Sequence, residues 1–207
     1  MSPRVDYERH GLTYAQFRRA DPRIAGRIHA ALGDARTEAL PFDDDAVDAA
    51  MACVTIHHWE PPARGLAEMR RVARGPVVVF TFELDALPDW QQEYLAEGLA
   101  IERPRFPSMD EISTALGGRV RVQRIPTPGD CVDGFFEAYW RRPEALLDPA
   151  VRASQSMWTL LPDGVEDRIV ERLGGALASG AWDAEHGHLR GQDEYAGALR
   201  LVISEPG

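Results

Sequence analysis

Two adjacent imidazoles, His57 and His58, stand at the end of the apolar run Ala49–Ile56, just before Trp59 and Glu60-Pro-Pro62. A short two-sided apolar run bounded by turn residues predicts a buried strand of a parallel sheet. Open α/β sheets place their ligands beyond the carboxyl ends of such strands, so both histidines fall where chemistry is expected. Either imidazole is suited to take a proton from an oxygen, a nitrogen or an activated carbon of an acceptor. The competing reading is a strand-end histidine that only caps or packs. Trp59 is a candidate wall for an acceptor pocket, and equally a core aromatic. Tyr14 and Arg18 belong to an arm in which Tyr7, Tyr14 and Phe17 are interspersed with Arg9, Arg18 and Arg19. From there they can reach a bound ligand, unless the arm is an ordinary amphipathic surface helix. Tyr139 and Trp140, within the aromatic group Phe135, Phe136, Tyr139, Trp140 and Trp158, can enclose an apolar acceptor, with core packing as the default for such a group.

Metal chemistry is not expected. Three successive carboxylates, Asp43–Asp45, point in divergent directions and read as a solvated turn. His186-Gly-His188 with Asp183 and Glu185 has ligand types, yet it falls in a predicted loop with no matching distant ligand pair. Cys53 and Cys131 are the only cysteines, which excludes a disulfide framework and a CxxC zinc site. Cys53 lies inside an apolar run and reads as a buried, inert thiol. No GxSxG, P-loop or HExxH motif is present.

The elements that position these groups are legible in the patterning. The 207 residues suffice for one domain with a real core. No apolar stretch approaches a membrane span, and the amino-terminal residues carry no apolar segment, so a cytoplasmic protein is expected. A net charge of −10 repels a phosphate backbone and argues against nucleic acid in favour of a small neutral or cationic acceptor. Asp21 and Pro22 open a helix that Gly33 ends. Arg64–Arg74 is a second helix with Leu66, Met69 and Val72 on one face, broken by Gly75-Pro76 ahead of the buried strand Val77–Phe82. Strand, helix and strand at this spacing make a βαβ unit. Ser108 caps a helix through Leu116, and Arg119–Ile125 alternates as a half-exposed strand. A helix over Asp163–Ala178 and a last strand over Glu194–Ile203 complete the order, with a late antiparallel pair closing the sheet.

The run Glu38-Ala-Leu-Pro-Phe-Asp-Asp-Asp-Ala-Val-Asp48, the strand ending in His57-His-Trp59 and the continuation Gly65–Phe80 resemble the post-cofactor half of the methyltransferase type 11 family. That family includes the ubiquinone/menaquinone-type C-methyltransferases, which are S-adenosylmethionine-dependent enzymes of class I. The resemblance implies an α/β, Rossmann-like class I methyltransferase fold in a single domain over residues 1–207: amino-terminal helices over 1–37, a sheet core over 38–130, and a helical insert with closing strand over 131–207. It implies S-adenosylmethionine as cofactor, a small-molecule acceptor, and His57 or His58 beside the transferred methyl group. It further implies cofactor contacts at Glu38 and Ala39, with Tyr14 and Arg18 reaching the cofactor or acceptor from the arm.

The family's Asp/Asn-x-Gly-x-Gly turn is absent from the sequence, as is the acidic residue that ends its second strand. The join falls between Thr37 and Glu38, where roughly fifty residues of a βαβαβ half-unit would lie in the family. An incomplete sheet without strands 1–3 is therefore expected, with the family's fourth strand left as an exposed edge. Two readings of function follow. One is a methyltransferase of weakened cofactor grip; the other is a non-catalytic pseudoenzyme or remnant that binds a second copy or a protein partner through that edge.

Overall fold

The computed structural model describes residues 21–24, 26, 27 and 42–207. Along the chain the described strands and α-helices are β1 (Ala50–Cys53), α1 (Pro62–Val72), β2 (Val77–Phe82), α2 (Asp89–Tyr94), α3 (Ala96–Glu102), α4 (Met109–Leu116), β3 (Arg119–Arg124), β4 (Thr127–Pro128), α5 (Pro149–Ala153), α6 (Ser156–Thr159), α7 (Val165–Ser179), α8 (Ala181–His186), β5 (Glu194–Tyr195) and β6 (Leu199–Glu205). The described residues fall into two compact units interleaved in sequence, one over 22–24, 26, 27, 42–84, 104–125 and 198–207 and the other over 21, 85–103 and 126–197. Residues 22–24, 26 and 27 are helical, as the Asp21-Pro22 signal predicts. The rest of that helix, the Thr37–Glu38 join and the candidates Tyr14, Arg18, Glu38 and Ala39 lie outside the described residues.

The first unit holds a four-stranded sheet in the order β1-β2-β6-β3. β1 and β2 are parallel, joined through α1, while β6 runs antiparallel to both β2 and β3. The two central strands explain their own composition. All six residues of Val77–Phe82 are buried, and so are the first six of β6, because each strand is paired on both edges and covered on both faces. β3 sits at one edge and is mostly exposed: only Val120 and Gln123 are partly buried, and Val122, which the alternating pattern would place with Val120, is exposed. Arg200, the one cation within β6, is 3% exposed and is held by Glu83, to which its Nε donates at 2.8 Å.

On one face of the sheet, Leu66 and Val72 of α1 and Ile112 and Leu116 of α4 close over Ala52, Val77, Val79 and Val202. The helix α4 begins where the sequence says it should. Ser108 Oγ accepts the Glu111 amide, and the Glu111 carboxylate accepts the Ser108 amide at 2.8 Å, a reciprocal capping box. Ser108→Ala removes one half of it and should lower stability by about 1 kcal/mol, read as a shift in the urea midpoint at unchanged slope. Gly118 adopts φ 69°, and a Cβ there would collide with the Glu205 carbonyl, so glycine fixes how α4 turns into β3.

Three sequence-based expectations change. The strand expected over Ala49–Ile56 is only Ala50–Cys53: Val54 turns into the left-handed region at φ 46°, and Ile56–His58 form a 3-10 turn. The apolar run continues because Ile56, fully buried, packs into the core from that turn. Cys53 is exposed rather than buried, because β1 lies at the edge of the sheet among the described residues and its own residues alternate between core and solvent. The last strand divides in two. Glu194–Tyr195 pairs with β4, and β6 begins only at Leu199.

The second unit is mainly helical and is organised on three fully buried tryptophans, Trp90, Trp140 and Trp182. The Trp90 indole N–H donates to the Trp140 carbonyl at 2.8 Å, and the Trp140 indole donates to the Thr127 carbonyl at 3.1 Å. Trp90 meets Trp182 edge-on at 5.7 Å between ring centroids. Buried indoles need partners for their N–H groups, and the short β4–β5 ladder supplies a backbone carbonyl for one of them. The long helix α7 runs from Val165 to Ser179, close to the expected Asp163–Ala178, and both of its ends are capped by glycines in the left-handed conformation. No helix among the described residues is long and apolar enough to cross a membrane.

Candidate functional site at the carboxyl end of the first strand

β1 ends at Cys53, and the chain reverses through Val54, whose amide donates to the Phe80 carbonyl of β2 at 2.8 Å. A β-branched residue at positive φ is strained, and such strain persists only where surrounding structure enforces it. The enforced turn delivers His57 and His58 to the carboxyl end of the parallel pair β1–β2, as the sequence predicts.

There the two imidazoles meet, with ring centroids 3.9 Å apart. His57 stacks on Phe106, 4.3 Å away and 13° from parallel, and Phe106 in turn stands edge-on to Phe82 of β2. Arg105 places a guanidinium nitrogen 3.1 Å from His58 Nδ1. A guanidinium only donates, so Nδ1 of His58 is an acceptor and its proton sits on Nε2. Burial lowers the His58 pKa, and the Arg105 charge lowers it further. His57 is affected more strongly: burial, then His58, then Arg105 push its pKa down to about 3. Both rings are thus neutral at physiological pH. Nδ1 of His57 is buried and has no hydrogen-bond partner among the described residues, an acceptor or donor left for something else to satisfy. Phe106 and Arg105 are site residues that the sequence reading missed. The arginine-proline run Arg103-Pro-Arg-Phe106 was their only signal, and nothing in its spacing points at the histidines.

Trp59 follows the pair, half-buried, and packs against the core cluster. Its ring lies over Gly65 of α1, where a Cβ would collide with it, so the glycine keeps room for the indole. Tyr139 and Trp140 belong to the helical unit. Trp140 is fully buried with its N–H committed to Thr127, and Tyr139 is 7% exposed beneath the Arg142 guanidinium. The Asp43–Asp45 stretch is an exposed turn, tied to α1 by the Asp44–Arg71 ion pair at 2.6 Å.

The described residues at this end of the sheet do not form a cradle for a nucleoside cofactor. β1 is followed by Val54-Thr55-Ile56 rather than a glycine turn, and no other described strand lies beyond it on that side. What they do form is an aromatic-backed shelf with one neutral imidazole nitrogen lacking a hydrogen-bond partner among the described residues.

Comparison with known proteins agrees with this architecture. Residues 4–80 match the methyltransferase domain family. The chain is 33% identical over 92 residues to the ubiquinone/menaquinone biosynthesis C-methyltransferase UbiE of Citrifermentans bemidjiense, and 32% identical over the same length to that of Geobacter sp. strain M21. These alignments take in 44% of this chain and 38% of each relative, so the chain spans well under half of the curated relatives it matches. Among solved structures, a protein described as a methyltransferase from an antibiotic biosynthesis pathway of Anabaena variabilis ATCC 29413 superimposes with a TM-score of 0.73 at 29% identity, covering 80% of this chain and 69% of that one. The chain is thus similar to methyltransferases, with a match to the methyltransferase domain family over residues 4–80 and, among the described residues, a Rossmann-like fold whose sheet is partial.

Proposed function

We propose that this protein is an S-adenosylmethionine-dependent methyltransferase acting on a small molecule, with a weakened hold on its cofactor. The observation that carries the reading is the match of residues 4–80 to the methyltransferase domain family, continued by the likeness of fold to the Anabaena protein. When bound, S-adenosylmethionine supplies an electrophilic methyl group. The chain's own part is to hold an acceptor against the end of β1. Phe106 and His57 give a flat apolar surface for a ring or chain, and the imidazole offers one polar anchor. With a pKa near 3, His57 is a poor proton acceptor but a sound hydrogen-bond acceptor, so its role is to orient an acceptor hydroxyl or amine. His58, with Nδ1 engaged by Arg105 and its proton on the exposed side at Nε2, is placed to donate a hydrogen bond to an acceptor.

Loss of a ribose clamp of two charge-assisted hydrogen bonds, at about 1.5–3 kcal/mol each, corresponds to about two to four decades of affinity. Calorimetric titration with S-adenosylmethionine and with S-adenosylhomocysteine is therefore expected to show saturable but weak binding, in the range from tens of micromolar to millimolar. No heat at millimolar ligand, from protein that melts cooperatively, would overturn the enzymatic reading.

A second reading is favoured by one feature of the sheet. Among the described residues β1 has no neighbour on its outer side, and Met51 on it is 44% exposed. Such an edge can pair with a second copy or a protein partner, as a non-catalytic relative would use it. A silent titration together with a concentration-dependent dimer in sedimentation supports this reading over the first.

A further inference from the structure

In the helical unit, away from β1 in sequence and in unit, three side chains converge that the methyltransferase reading does not use. Glu93 comes from α2; Glu185 and His186 come from the end of α8. One ligand atom from each lies within 4.8 Å of the others, and the His186 Nε2–Glu185 Oε2 distance is 3.9 Å. From the geometry of this cluster we propose a binding site for a divalent transition-metal ion of the zinc type, held by Glu93, Glu185 and His186.

Two independent observations point to a ligand rather than to a chance meeting of acids. The first is the state of the imidazole. His186 is 6% exposed, its ring is held 5.5 Å from the Trp182 ring, and its Nε2 is buried without a hydrogen-bond partner among the described residues. A buried ring nitrogen left unsatisfied carries a desolvation cost that a metal–nitrogen bond removes. The second is the charge. Among the described residues neither the Glu93 nor the Glu185 carboxylate has an arginine within ion-pair distance, although Glu97, Glu144, Asp183 and Glu166 of the same unit are all paired with arginine. Arg172 instead donates to the Glu93 backbone carbonyl and lies over the Tyr94 ring. Two carboxylates brought together with no cation between them repel each other; a dication reverses the sign of that term.

The ligand chemistry narrows the ion. One imidazole and two carboxylates, with water completing the shell, suit zinc and its neighbours rather than calcium or magnesium, which prefer oxygen alone. Zinc-to-ligand bonds of about 2.0–2.2 Å require the three atoms to draw together by roughly an ångström. The two glutamates are exposed and free to do so by rotation about their side-chain torsions, while the buried imidazole is already fixed. The site joins α2 to α8, so its effect is to tie two short helices that are far apart in sequence. Glu93 is the distant ligand whose absence led the sequence reading to discount His186 and its neighbours.

The test is equilibrium dialysis of chelator-treated protein against zinc chloride, beside thermal melts with and without the metal. Wild type should retain one equivalent of zinc and melt at a higher temperature as zinc is raised. Glu93→Gln and Glu185→Gln, both exposed positions that leave the fold intact, should each weaken binding by more than about tenfold and abolish the rise in melting temperature. His188→Gln, at an exposed histidine outside the cluster, should retain both. Retention of zinc with equal affinity in the two glutamine variants, or no retained zinc in wild type, overturns the proposal.

Discussion

Trp140→Ala is expected to destabilise the protein by about 3–5 kcal/mol, the range for removing a large aromatic from a closed core. The side chain is fully buried and its ring lies 5.4 Å from Tyr195, with the Arg141 guanidinium 5.7 Å from its centroid. Truncation leaves a cavity between these groups. It also removes the 3.1 Å indole donor from the Thr127 carbonyl, next to the buried Thr127–Glu137 hydrogen bond. A Trp140→Phe variant separates the two effects: it keeps most of the volume and loses the donor, at about 0.5–1.5 kcal/mol for the one hydrogen bond. Urea unfolding followed by far-ultraviolet circular dichroism measures both. A residue that walled an open acceptor pocket would behave differently, for its alanine variant would unfold like wild type and change only ligand affinity. The same experiment therefore decides between the two roles that the aromatic run over 135–158 allows.

The parts of the fold that could be read in advance are those where a single local rule sets the outcome. Val77–Phe82 is buried at every position and apolar at all but Thr81 because both faces and both edges are covered, and no helix of six residues would need that. The helix α4 announces itself by Ser108 and Glu111 at capping-box spacing and stops at Gly117-Gly118. Errors arose where an apolar residue served a purpose other than the one its neighbours served. Ile56 is apolar for a turn that folds back into the core, and Leu199 and Leu201 belong to a different ladder from Glu194 and Tyr195. Cys53 shows the limit of composition most directly: its neighbours are those of a buried strand, but tertiary placement at an edge exposes it.

The candidate site was legible in half. The position of His57 and His58 followed from the general rule that ligands gather beyond the carboxyl ends of parallel strands. Their protonation did not follow, because it depends on Phe106 and Arg105, which arrive from a separate loop after α3. Sequence spacing carries no information about such a meeting. Glu93 joining His186 is the same kind of event, a contact made by tertiary packing between residues no motif connects.

Neutrality of His57 has a consequence that can be measured without any ligand. Its ordinary pKa of 6.5 applies to the unfolded chain, and the folded protein holds it at about 3. Above pH 6.5 the ring is neutral in both states and its titration contributes nothing to the pH dependence of stability. As pH falls below 6.5 the unfolded chain takes up a proton that the folded protein refuses, so stability drops by up to about 1.4 kcal/mol per pH unit until the folded ring itself titrates near pH 3. His58, whose pKa is also lowered, adds to the loss in the upper part of that window, and Arg105 stays charged throughout and sustains the repulsion. His57→Gln cannot titrate and should retain stability that wild type loses between pH 6.5 and 4, while the two proteins run parallel from pH 7 to 8. The difference of their urea midpoints across that range is the measurement. If wild type and variant lose stability in parallel, the folded ring protonates normally, and the aromatic shelf of Phe106 does not exclude water as the geometry requires. If they diverge as expected, the acid limb of any pH–rate profile between pH 5 and 8 belongs to another group, and His57 acts in the site by accepting a hydrogen bond rather than by carrying a proton.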